Sequence, residues 1–158
     1  MNEVSLEDAY NQYADELVRY ATVLVPVSAA ADVVADTFAD LLARADGAWS
    51  SAVNVKAFLF GAVANRARMY HRQNSRRRQR ELRVVTARSS NADVVVDEEP
   101  DGLLEALEEL SVQQRAVTYL TYWQDMSVSE VADALGVGDG TVRRQLARAR
   151  TRLRGVVT

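Results

Sequence analysis

The apolar positions of this chain recur almost throughout at spacings of three and four, which is the period of an amphipathic helix. Leu6, Tyr10, Tyr13, Leu17, Tyr20 and Leu24 form the first such stripe, which Pro26 ends. Ser28 offers a cap for a second helix carrying Val34, Phe38, Leu41 and Leu42. Asp46 to Asn54 (DGAWSSAVN) is turn-like. A long third helix is expected from about Lys56 into a run of arginines, burying Phe58, Leu59, Ala62, Val63 and Tyr70. Gly61 inside it costs roughly 1 kcal/mol relative to alanine.

The period is lost over residues 84–101 (VVTARSSNADVVVDEEPD), which reads as a linker. Leu103, Leu107 and Leu110 then mark a short helix, and Ser111 caps another holding Val117, Leu120 and Trp123. Ser127 and Glu130 have the spacing of a capping box, and the helix they start stops at Gly136. Asp139 caps a final helix with Val142, Leu146, Ala149 and Leu153 inward. The pattern predicts an all-α protein: helical units over 1–83 and 102–158, joined by an acidic flexible linker over 84–101.

Charge sharpens this division. The net charge is −3, but nine arginines face one acid between Arg66 and Arg88, and eight acids without a base follow between Ser89 and Leu110. From Thr141 onward there are six arginines and no acid. A polyanionic partner responds to such local fields more than to the sum over the chain. The chain has no cysteine, which excludes disulfides and thiolate metal sites. Its opening lacks a basic and an apolar signal region, and no apolar run reaches the length of a membrane span. The expectation is a soluble cytoplasmic protein without membrane insertion.

The segment SVSEVADALGVGDGTVRRQLARARTRLR has helix-turn-helix spacing. Ala132 is small where two helices cross, Gly136 falls where the turn needs a left-handed residue, and Val142 plugs the second helix onto the first. Arg143, Arg144, Arg148 and Arg150 then fall on outward or flanking faces. Such a helix enters the major groove, where arginine forms bidentate bonds to guanine and others pair with phosphates. The plainer alternative is a helical hairpin with a solvated basic face. Agreement among the small residue, the turn glycine, the plug and the caps favours DNA binding.

The stretch LLEALEELSVQQRAVTYLTYWQDMSVSEVADALGVGDGTVRRQLARARTRLR resembles region 4 of a bacterial RNA polymerase sigma factor. LEDAYNQYADELVRYATVL, AADVVADTFADLLAR and KAFLFGAVANRARMYHRQ resemble region 2, in the same order. A short chain with these two regions and nothing between resembles the extracytoplasmic-function (ECF) type. The resemblance implies a factor that binds core RNA polymerase, directs it to promoter DNA and helps to open the duplex, without catalysis of its own. It implies −35 recognition by Arg143, Arg144 and Arg148, with Thr141 and Arg150 nearer the backbone. It also implies −10 contacts by Asn65, Arg66, Arg68, Arg72 and Arg76, with Trp49 to Asn54 beside the pocket for an extruded base. An anti-sigma factor is a common partner in the family.

Asp32, Asp36 and Asp40 stand four residues apart on one helix face. That stripe is either a solubilising surface or, as the resemblance implies, the polymerase-binding face. The acidic linker could enter the polymerase or fold over an arginine block. Ala35, Gly61 and Arg144 replace residues common in the family. His71 is expected at the surface; no catalytic, metal or cofactor site is expected. The competing readings are a stand-alone helix-turn-helix regulator and a sigma-like decoy.

Overall fold

The computed structural model describes residues 5–44, 54–85 and 110–157, with side chains described to 82 and 155 in the last two stretches. Six helices run through them: α1 (Leu6–Leu24), α2 (Val27–Ala43), α3 (Val55–Val85), α4 (Val112–Tyr122), α5 (Val128–Leu135) and α6 (Asp139–Val157). The fold is all-α. All but the last residue, Leu110, of the expected helix around Leu103, the loop at Trp49 and most of the linker lie outside the described residues.

Local chemistry sets the helix ends. Ser5 Oγ accepts from the Asp8 amide at 3.0 Å, capping α1, and Pro26 follows its last turn. Ser28 does not cap α2: Pro26 occupies the cap position with φ −55° and no side-chain bond, and Ser28 lies inside the first turn. Proline's fixed φ ends one helix and presets the next, so a hydroxyl cap is not needed. Asn54, expected beside a base pocket, caps α3 by accepting from the Ala57 amide at 3.0 Å. Asp139 is itself the first residue of α6 rather than its cap.

The buried faces are mostly the expected ones, with instructive exceptions. Leu42 is 75% exposed, because the α2 stripe is completed by Ala30, Val33, Val34, Phe38 and Leu41. Phe60 is fully buried, whereas Phe58 and Tyr70 pack only partly. From Arg72 to Leu82 every residue of α3 is exposed. At 31 residues α3 is roughly 46 Å long, so its arginine-rich end projects beyond the helices that support its first half.

The two sequence units share one continuous core drawn from all six helices. At the junction the Tyr20 ring is fully buried, 4.9 Å from Phe60 and 5.0 Å from Tyr119 between ring centroids. Arg115 of α4 donates to the Val23 carbonyl at 3.0 Å and to the Leu110 carbonyl at 3.2 Å. His71, expected at the surface, is half-buried, and its Nε2 donates to the Leu24 carbonyl at 2.6 Å. That bond fastens α3 to the end of α1. Trp123, expected in the core, is 55% exposed and stacks on Tyr119 at 5.7 Å.

The Tyr20 hydroxyl is buried without a hydrogen-bond partner among the described residues. Such a group costs about 1–3 kcal/mol, so Tyr20→Phe is expected to keep or raise the melting temperature in calorimetry. Burial also holds the hydroxyl protonated well above its ordinary value of 10.0. Its proton is retained by the folded chain more tightly than by the unfolded one, so this stability is complete below that pH and is lost as pH rises through it. The phenylalanine variant should therefore lose less stability than the parent in alkaline melts.

Candidate nucleic-acid interface

Helix α5, the turn and α6 form the helix-turn-helix that the spacing predicted. Ser127 Oγ accepts from the Glu130 amide at 3.1 Å while Glu130 Oε1 accepts from the Ser127 amide at 3.2 Å, completing the capping box. Gly136 ends α5 at φ 67° and ψ 35°, a left-handed conformation in which a Cβ is strained. The Val137 amide then bonds back to the Ala132 carbonyl at 3.0 Å. Val142, Leu146 and Ala149 are buried. That fixes the rotation of α6 about its axis.

With the rotation fixed, Arg143, Arg144 and Arg148 are exposed on the outer face. Arg144 donates to Thr141 Oγ1 at 3.3 Å, one turn earlier on the same helix. Arg150 is held to one side: its Nε donates to the Tyr122 hydroxyl at 2.8 Å, and its guanidinium lies 5.9 Å from that ring's centroid. Tyr122 and the Arg115 link were not legible as functional neighbours in sequence, because both pairings cross between helices. The outer face of α6 presents guanidinium groups at helical spacing, donors suited to guanine edges and phosphates.

The second cluster lies on α3. Asn65 Oδ1 accepts from the Arg68 guanidinium. Arg68 is half-buried, whereas Arg72 and Arg76 are exposed on the projecting half of the helix. Arg66 turns toward α2 and pairs with Asp40 at 2.8 Å and Asp36 at 3.4 Å. The structure thus joins two of the acids expected to face polymerase to one of the arginines expected to face DNA. Asp32, one turn earlier, is exposed and has no ion pair among the described residues. Asn65 and Arg66 line a cavity between α2, α3 and the end of α5, together with Thr37, Asp40, Phe58 and Asp133. Among the described residues no cluster of side chains could hold a metal ion, and no helix is long and apolar enough to cross a membrane.

The fold and the exposed arginine face define a helix-turn-helix protein. Residues 101–153 match the family model for Sigma-70, region 4. The chain is 32% identical to the RNA polymerase sigma-E factor of Streptomyces coelicolor, covering 98% of this chain and 87% of that one. It is 29% identical to the ECF RNA polymerase sigma factor SigL of Mycobacterium tuberculosis, over 92% and 84% of the two chains. The sigma factor RpoE of Bartonella quintana, solved in complex with the anti-sigma factor NepR, shares the fold at a TM-score of 0.70 and 24% identity, covering 96% and 95%. The chain belongs to the RNA polymerase sigma factors of the ECF type. It is an alternative sigma factor, directing promoter recognition and transcription initiation.

Replacing Gly136 by alanine places a Cβ on a left-handed backbone, at a cost of about 1 kcal/mol. The melting temperature is expected to fall by about 2–4 °C, measured by calorimetry, with helix content unchanged. An unchanged melting temperature would remove the turn from the determinants of this site.

Proposed function

We propose that the helix-turn-helix end of this factor reads the −35 element and that α3 serves the −10 element, while the acidic face of α2 binds core RNA polymerase. The observation that carries this reading is the exposed row of Arg143, Arg144 and Arg148 on a helix whose other face is locked into the core. Thr141 and Arg150, held through Arg144 and Tyr122, contact the DNA backbone at its flanks. In units, residues 1–83 serve the polymerase and the −10 element, 84–101 tether, and 102–158 serve the −35 element.

At the −10 end, Asn65 presents an amide able to donate and accept to an extruded base. Arg68 positions that amide, and Arg72 and Arg76 on the projecting half of α3 pair with phosphates. Asp32, Asp36 and Asp40 form the polymerase face, with Arg66 fixing two of the three carboxylates and remaining close enough to the −10 cavity to serve DNA. The work is binding and positioning, not catalysis. It takes place in the cytoplasm, where an anti-sigma factor is the natural regulator, as for the Bartonella relative.

Transcription from a cognate promoter by purified protein with core polymerase tests the reading as a whole; a stand-alone regulator gives no polymerase-dependent transcript. Arg148→Ala should lower promoter use by about 10- to 100-fold, the loss of one bidentate base contact. Promoters altered in the −35 element should be insensitive to that change, and additive losses would remove Arg148 from the reader. Asp36→Arg should weaken association with core polymerase in a pull-down while the circular dichroism spectrum is retained. Normal assembly by that variant would return the acidic stripe to a solubilising role.

A further inference from the structure

Arg150 differs from the other outward arginines of α6 in being held by a residue outside the helix-turn-helix. Its Nε donates to the Tyr122 hydroxyl at 2.8 Å, and its guanidinium carbon stands 5.9 Å from the centroid of that ring. Tyr122 is the last residue of α4, and its side chain is half exposed. The pairing leaves strong donors unused. Both terminal nitrogens of Arg150 are without a partner among the described residues, and so is the proton of the Tyr122 hydroxyl, whose oxygen already accepts from Arg150. A hydroxyl that accepts from a cation is polarised, which makes it a stronger donor in its turn.

Helix geometry bears on what these donors meet. At 3.6 residues per turn, Arg143 and Arg150 stand two turns apart on one flank of α6, roughly 10 Å along its axis. Arg144 and Arg148 lie nearer the middle of the outer face. The first half of a recognition helix meets base edges, while contacts to the phosphates that wall the groove fix its position. Arg150 lies beyond that first half, and Tyr122 holds it to the flank. The open groups of the pair are all donors, so the partner they can share is an anion.

We infer that Tyr122 is itself a DNA-contacting residue: its O–H and the terminal N–H groups of Arg150 close on a single backbone phosphate beside the −35 element. The clamp rests on the −35 reading proposed above and adds to it a donor supplied by α4. The hydroxyl is neutral, so it strengthens the grip without releasing a further counterion. Its effect is therefore the same on every base sequence, and it leaves the salt dependence of binding unchanged.

Binding of the holoenzyme, assembled from this chain and core polymerase, to a fluorescent promoter duplex tests the clamp. Tyr122→Phe keeps the ring beside the guanidinium and removes only the O–H. Its affinity should fall about three- to tenfold, with the slope of log affinity against log salt unchanged. Arg150→Ala should flatten that slope by about 0.9, and the double variant should lose little more than Arg150→Ala alone. Replacing the −35 phosphates one at a time by neutral methylphosphonate should locate the contact. At one position the parent should lose affinity and Tyr122→Phe should lose much less.

Equal sensitivity of the parent and Tyr122→Phe at every methylphosphonate position would reduce Tyr122 to a strut between α4 and α6 and overturn the clamp. So would unchanged affinity of Tyr122→Phe, or a loss confined to one −35 base sequence; the −35 reading would survive each of these results. Indifference of the parent holoenzyme to both the bases and the phosphates of the −35 element would overturn that reading and the clamp together.

Discussion

Everything distinctive about this molecule depends on how tightly α1 is enclosed. Its Tyr20 ring is held between Phe60 of α3 and Tyr119 of α4, and from that point the apolar core runs without interruption into both halves of the chain. An aromatic ring buried on two sides is a strong organiser, contributing both area and preferred geometry. Here it also buries a hydroxyl with no partner among the described residues. The junction thus combines good packing with a local penalty.

The same helices carry two opposed electrostatic tasks. α2 presents carboxylates to one side, α3 extends a basic rod past the end of its support, and α6 turns a second basic face outward. Each face is oriented by burial of its opposite side rather than by the charges themselves. Surface ion pairs contribute only about 0–1 kcal/mol each, too little to fix a helix rotation that several buried aliphatic side chains already determine. The charges on the open faces are consequently available for a partner.

The helix periods and capping residues made most of the fold legible before any coordinates. The Ser127–Glu130 box, Gly136 and the Val142 plug act within a few residues of one another, so short-range chemistry reveals them. Ser28 and Asp139 misled by a residue or two, since proline and a glycine-rich turn can start a helix without a side-chain cap. The greater gap was long-range. Nothing in the periods of α3 and α4 shows that Tyr119 meets Tyr20, that Arg115 reaches Val23, or that His71 ties down Leu24. Gly61 looked like a local cost to α3, when its lack of a side chain admits the Ala134 carbonyl, more than seventy positions away. The acidic stripe and the arginine run each read correctly as surfaces, yet the bridge between them at Arg66 depended on how α2 crosses α3.

That bridge has a further consequence for how this factor can change over generations. Arg66 pairs with both Asp36 and Asp40, so losing it would leave two adjacent like charges uncompensated on α2, and losing either acid would loosen a guanidinium beside the cavity that Asn65 lines. Substitutions at positions 36, 40 and 66 are therefore coupled, each changing the charge that the other two meet. On the proposed roles of these residues, a lineage that altered its taste for promoter sequence through position 66 would also alter the setting of the carboxylates that face polymerase, tying two choices that the chain otherwise keeps on separate helices.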